Sequence, residues 1–300
     1  VLAARDSLNF VLAQKKAAAE QLAAAKRNFE VGTATITDTR EAQARHDLVT
    51  AQQIAAENDL RVRGLALDQA VGKSNLNPKP VAVPLALPAV SPANPEEWVK
   101  RAEQHHPNLS LLSTALDVAK LETSRARSAE KPTVDLTGSY GLVRNDMGNT
   151  SSTVSNWTQQ AQVGIALTYP LYNGNSLQNR VKETLALEEK ARVDLAGARN
   201  SVAQAVRTAY FGVVSGQGQV KALETAEAST QSALDATQLG YKVGVRINID
   251  VLNAQSQLFQ TKRDLAKARY EVLVGGLRLK QASGTLAEGD LAAVNTLLSK

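Results

Sequence analysis

Proline is confined to one stretch of this sequence, and that constrains the fold more than any other feature. All nine prolines fall between Pro78 and Pro170, so residues 1–77 and 171–300 lack the side chain that most strongly breaks a helix. The chain reads as helix, interrupted middle, helix. Between Ser176 and Leu239, about 64 residues at 1.5 Å each predict a rod of roughly 95 Å, several times an ordinary globular helix. A helix that long needs a coiled-coil partner. The spacing Val251, Ala254, Leu258, Thr261, Leu265, Ala268, Val272, Gly275, Leu279, Ala282 supplies a seam in steps of three and four, with large residues at one position and small ones at the other. Composition agrees with thin, closely approached helices: 47 alanines against 4% aromatic residues leave little to fill a thick interior.

The middle divides further. Residues 73–95 carry six prolines and predict an extended, irregular crossing segment. Asn94, Pro95, Glu96 and Glu97 then make a helix start, with a capping side chain, proline at the first position and acids on the positive dipole end. That helix should break near Pro107, resume to about Glu130 and stop before Pro132. After Pro132 the pattern changes to period two. Val134, Leu136, Gly138, Tyr140 and Leu142 alternate with Thr133, Asp135, Thr137 and Ser139, and Ala161, Val163, Ile165, Leu167, Tyr169 and Leu171 with Gln160, Gln162, Gly164, Ala166 and Thr168. Each run is about ten residues, the length of a tilted strand across a bilayer, with tyrosines near the ends. The connection from Arg144 to Thr158 is polar and suits a loop in water. The alternation alone fits a half-buried hairpin of a soluble α+β protein equally well, and a lone hairpin closes no barrel.

The two helical regions superpose at one constant shift. Val31-Gly32 matches Val243-Gly244 at 212 residues, and the same shift pairs Leu22 with Leu234, Phe29 with Tyr241, Asp38 with Asp250, Ala42 with Ala254, Gln43 with Gln255, Leu65 with Leu277 and Gly72 with Gly284. A gapless shift over this span indicates duplication. Each copy is predicted to be an antiparallel hairpin of helices turning at Gly32 or Gly244. The second copy has a β-hairpin and a full ascending helix before its turn, the first only some thirty residues. We therefore expect the chain to be truncated at its N-terminus, with about 120 or more residues preceding Val1 in the native protein.

With these residues on the page, a resemblance is specific. Gly240-Tyr241-Lys242-Val243-Gly244-Val245-Arg246 followed by Asp250-Val251-Leu252-Asn253-Ala254-Gln255 resembles the turn signature of TolC-type outer-membrane efflux and type I secretion channel proteins. Val31-Gly32-Thr33 with Ile36-Thr37-Asp38, Tyr169-Pro170-Leu171-Tyr172-Asn173-Gly174, and Ser283-Gly284-Thr285-Leu286 with Asp290-Leu291 agree in order along the chain. The resemblance implies a mainly α fold with a membrane β-hairpin, in which long antiparallel coiled-coil hairpins wall an α-barrel tunnel. Its strands would join those of two further copies in a trimeric barrel of about twelve strands. The implied division is residues 1–72 as the first-copy tunnel hairpin and 73–130 as the crossing segment with equatorial helices. Residues 131–174 would then be the outer-membrane hairpin, 175–284 the second-copy tunnel hairpin and 285–300 a C-terminal equatorial segment. The implied function is the exit duct of a tripartite type I secretion or efflux system in the outer membrane of a Gram-negative bacterium. Its partners would be a periplasmic adaptor protein, an inner-membrane transporter and outer-membrane lipid.

The resemblance also assigns residues. Thr37, Asp38, Tyr241 and Arg246 are implied to hold a periplasmic gate shut, Tyr241 bonding Asp38 within a protomer and Arg246 reaching Thr37 and Asp38 of a neighbour. A charge-assisted arginine contact of this kind is directional and can be displaced by a competing partner. Asp250 is the implied pore-facing acid, three of which would ring the constriction and favour cations. One turn on, where the family pattern has a second acid, this sequence has Asn253, so cation preference and block by trivalent cations should be weaker. Val31, Gly32, Thr33, Val243, Gly244 and Val245 are the implied adaptor contacts.

No chemistry of bond making is legible. The sequence has no cysteine, and His46, His105 and His106 have no acids at a ligand spacing, so neither a metal site nor a cofactor is expected. Gly216-Gln217-Gly218 lies within helical periodicity and follows no strand, unlike a nucleotide-binding loop. The 34 basic residues are interspersed with 29 acids and give a net charge of +5, a solvated helix surface and no nucleic-acid footprint. The alternative to an exit duct is a pore-free periplasmic coiled-coil adaptor or scaffold, which should show one helical hairpin instead of two.

Overall fold

The computed structural model describes residues 1–74, 76–81, 87–145 and 156–298. The middle of the expected crossing segment and most of the polar connection between the strands therefore lie outside the described residues. The chain forms two compact units, residues 1–106 with 202–300, and residues 107–201.

In the first unit, α1 (Leu2–Glu30) and α2 (Ile36–Val71) form the first helical hairpin. The second consists of α5 (Ser176–Lys242), which begins in the other unit, and α6 (Asn248–Ala282). The unbroken α5 runs to within a few residues of its expected end, as the lack of proline requires. Buried residues of α1 recur at Ala4, Val11, Gln14, Ala18, Leu22 and Ala25, the three-and-four spacing of a coiled-coil stripe. The expected α6 seam is present: Val251, Leu258, Thr261, Leu265, Ala268, Val272 and Leu279 are buried. Val213, Val220, Leu265, Ala268 and Val272 form one apolar cluster, and Leu234, Val251 and Leu258 another, both between α5 and α6.

Small residues set the spacing of these two helices. A Cβ added at Gly216 would come within 2.8 Å of Val272 Cγ2, and one at Gly275 within 3.2 Å of Val213 Cγ2. Gly216, set aside above as part of no nucleotide loop, is a close-packing residue. The α6 helix also buries a second stripe that the seam did not predict. Leu252 packs with Leu22, Ala25 and Ala42, joining the two hairpins through their small residues.

The segment before α3 (Pro95–His105) and the first turn of that helix are tied to α5 by polar anchors. Arg207 donates to both Glu96 carboxylate oxygens at 2.9 Å, Tyr210 Oη donates to the Ala93 carbonyl, and Gln217 Nε2 to that of Pro88 at 2.9 Å. Asn94 caps α3 as expected, its Oδ1 accepting from the Glu96 amide at 3.0 Å. The short α7 (Glu288–Asn295) is held by Lys280, whose ammonium lies 2.6 Å from the Asp290 carboxylate.

The second unit holds α4 (Pro107–Ser128), the N-terminal part of α5 and an antiparallel pair, β1 (Thr133–Asn145) and β2 (Asn156–Thr168). Both strands extend further toward the connection than expected, and β2 stops before Tyr169. Pro170 has no N–H to continue a ladder. The register sets Val134 opposite Leu167, Leu136 opposite Ile165, Gly138 opposite Val163 and Tyr140 opposite Ala161, so the apolar runs share one face. That face is open in the single chain, with Val134 68% and Val163 81% exposed. Among the described residues, no helix is long and apolar enough to cross a membrane.

Candidate functional site

The two helical turns are built alike, atom for atom along the backbone. In the first, the amides of Val31, Gly32, Thr33 and Ala34 donate to the carbonyls of Arg27, Phe29, Asn28 and Asn28. In the second, those of Val243, Gly244, Val245 and Arg246 donate to Leu239, Tyr241, Gly240 and Gly240, the same pattern 212 residues on. Gly32 has φ of 78° and Gly244 of 81°, the left-handed region that glycine occupies without a Cβ penalty. Val31, Gly32, Thr33, Val243, Gly244 and Val245 are all exposed.

The side chains at the two turns differ. In the first copy, Thr35 caps α2 in a reciprocal box: the Asp38 amide donates to Thr35 Oγ1 at 3.2 Å, and the Asp38 carboxylate accepts from the Thr35 amide at 2.9 Å and its hydroxyl at 2.8 Å. In the second copy the cap position is Ile247, which offers no side-chain acceptor. Asp250 faces Arg246 instead, at 3.7 Å across one helical turn, the guanidinium largely exposed and the carboxylate half-buried. The Arg246 stem lies over Gly240, where a Cβ would come within 2.8 Å of Arg246 Cγ.

The four residues assigned to the gate are not all joined within one protomer. The Tyr241 hydroxyl is not on Asp38; it accepts from Asn28 Nδ2 at 3.3 Å. The reason is local, because the Asp38 carboxylate is engaged by Thr35 at the start of its own helix. Thr37 is exposed on the same first turn of α2.

At the expected constriction, Asn253 is exposed and its Oδ1 accepts from Arg45 Nη2 at 3.1 Å. A guanidinium therefore lies beside Asn253, the position that the resemblance assigns to a second acid. Sequence reasoning missed Arg45, whose counterpart at the 212-residue shift is Gln257 and gives no signal. It also missed Asn248. This residue is 1% exposed, its Oδ1 accepts from Gln21 Nε2, and its Nδ2 donates to the Asp38 carbonyl at 3.2 Å. A signal was available: its counterpart by the shift is Ile36, an apolar residue.

An open apolar strand pair together with two matched helical hairpins is the arrangement expected of a membrane channel with coiled-coil walls, and its relatives place the chain in that class. The sequence pattern of the outer membrane efflux protein family matches residues 1–73 and 98–285. The chain is 35% identical over 297 residues to outer membrane protein TolC of Vibrio cholerae, covering 98% of this chain and 67% of that one. To TolC of Escherichia coli K12 it is 35% identical over 310 residues, covering 100% of this chain and 62% of the relative. To the alkaline protease secretion protein AprF of Pseudomonas aeruginosa it is 31% identical over 295 residues, 98% of this chain and 61% of that one. Among solved structures, the outer membrane protein VceC of Vibrio cholerae superposes with a TM-score of 0.79 at 16% identity, over 94% of this chain and 66% of that one, a likeness of fold. The chain thus spans about two thirds of the length of its relatives. It belongs to the outer membrane efflux protein family. Its place is the outer membrane, and it is a channel-family protein, not an enzyme.

Proposed function

We propose that this chain supplies two helical hairpins and the membrane strands of an outer-membrane exit duct. In this reading the duct is a homotrimer serving a tripartite type I secretion or efflux system, with a periplasmic adaptor and an inner-membrane transporter as partners. The observation that carries it is the matched pair of helical hairpins in a chain that also holds an unpartnered apolar strand pair, within this family. Residues 1–72 and 175–284 wall the tunnel, 73–130 and 285–300 form its equator, and 131–174 cross the membrane. Closing the strands with those of other copies removes their free edges. A pore-free adaptor is disfavoured by the second hairpin and by the family.

The gate in this reading lies at the two turns. Arg246, exposed and paired among the described residues with Asp250, can reach Thr37 and Asp38 of a neighbouring protomer in this reading. Tyr241 braces the second turn through Asn28. The exposed turn residues Val31, Gly32, Thr33, Val243, Gly244 and Val245 are the adaptor contacts, and opening moves the second-copy hairpin outward. Three Asp250 carboxylates ring the constriction, tempered by Arg45 beside Asn253.

Single-channel recording of the full-length protein in planar bilayers tests this. Tyr241→Phe with Arg246→Ser should raise resting conductance several-fold, and unchanged conductance overturns the gate. Trivalent cations should block weakly, more strongly after Asn253→Asp, and most strongly after Asn253→Asp with Arg45→Gln.

A further inference from the structure

We propose that Asn248 is a positioning residue: its buried amide clasps the first turn of α6 to α1 and α2, and the second-copy hairpin leaves the first only when this clasp opens. The functional half of the proposal rests on the gate reading; the clasp itself rests on geometry.

Asn248 does not serve its own turn. The backbone of that turn is complete without it, and Ile36 occupies the matching place in the first copy with its side chain 49% exposed. The duplication thus pairs an exposed apolar residue with a buried polar one, the reverse of what burial alone favours. Gln21, the partner on α1, has Ala233 as its counterpart. Neither half of the contact is repeated, so it belongs to the meeting of the two hairpins and not to the hairpin as a unit.

The amide uses both its ends. Its oxygen accepts from Gln21 Nε2 on α1, and its nitrogen donates to the Asp38 carbonyl on α2, so one side chain ties the start of α6 to both helices of the other hairpin. Apolar packing of Leu252 with Leu22, Ala25 and Ala42 lies one turn further along α6. Ile247 provides no cap, so the first turn of α6 depends on this tertiary contact where α2 depends on Thr35. Arg246 and Asp250 flank Asn248 by two residues on either side, so holding Asn248 also holds the proposed gate pair. An amide clasp suits a joint that opens and closes, because water can replace its hydrogen bonds when it parts, whereas apolar surface cannot be so compensated. It is also neutral, so salt that screens an arginine contact leaves it intact.

The test is made on the full-length protein. Asn248→Leu keeps the branched outline of the side chain, though it is bulkier, and removes both hydrogen bonds. Hydrogen exchange at the amides of residues 250–253 should become about tenfold faster, the scale of one or two lost hydrogen bonds. The matching amides of α2, capped by Thr35, should not change. Gln21→Leu should do the same to a smaller extent, the two substitutions together should be less than additive, and Gln21→Leu carries the test alone if Asn248→Leu fails to assemble. Resting conductance should rise in both variants at low and high salt alike. Unchanged exchange, or equal acceleration at both turns, overturns the clasp. If exchange rises and conductance does not, while Tyr241→Phe with Arg246→Ser does raise conductance, the link from clasp to opening is overturned. If none of these variants raises conductance but exchange rises, the clasp stands and the gate reading falls.

Discussion

The turn at Gly32 and the turn at Gly244 have the same backbone and opposite dependencies. The first closes on itself, with Thr35 and Asp38 satisfying each other within three residues. The second leaves its cap position apolar at Ile247 and is held from outside, by Asn248 on α1 and α2 and by Leu252 in the cluster with Leu22, Ala25 and Ala42. A turn that satisfies its own groups stays formed whatever its neighbours do. One that relies on a neighbour can be released by moving that neighbour, which suits the proposed moving hairpin.

The comparison can be broken most forcefully at Leu252, which is 1% exposed. Leu252→Ala should destabilise the contact between hairpins by about 2–5 kcal/mol, while Arg40→Ala at the matching exposed place should stay within about 0.5 kcal/mol, as read from urea melting of the full-length protein. Equal effects would mean that the hairpins are equivalent after all.

A smaller effect sharpens the comparison from the other side. Ile247 has φ of −103° and ψ of 162°, close to the −91° and 161° of Thr35, and Asp250 already stands three residues on. Ile247→Thr should therefore complete a capping box, stabilise the first turn of α6 by about 1 kcal/mol and draw Asp250 away from Arg246, and Thr35→Ala should cost α2 about the same. Amide exchange at both turns reads both changes. No gain at the second turn would show that matched backbone angles are not enough.

The smallest effect lies away from both turns and serves as their control. The Arg207 guanidinium holds the Glu96 carboxyl below its ordinary range through their paired hydrogen bonds. A carboxylate lowered in this way adds stability above its ordinary range that fades as pH falls through the lowered value. Acid titration of wild type against Glu96→Gln should differ only in exchange around α3, with the two turns unaffected. A change at either turn would couple α3 to the gate.

Features legible in the sequence were those that depend on residues near one another along the chain. Glycine at 32 and 244, the proline-free stretches, the cap at Asn94 and the alternating strands each follow from local backbone preference or from periodicity, and the 212-residue shift was visible because both turns demand the same residue types. The α6 seam was legible for the same reason. Its second stripe was not, since Leu252 and Asn248 read as an ordinary apolar and an ordinary polar helix residue until α1 lies across them. The expected Tyr241 contact went astray because a hydroxyl takes the partner that the neighbouring helix brings, here Asn28, and Asp38 was already spent on Thr35.

By itself, then, the sequence determined where the chain turns, where it stays helical and which strands pair an apolar face, because dihedral preference and hydrophobic period act over a few residues. Only the tertiary structure decided which helix Asn248 binds, why Arg45 stands beside Asn253 and which turn depends on its neighbour, because contacts between residues more than two hundred positions apart are set by how helices lie side by side and carry no local signal.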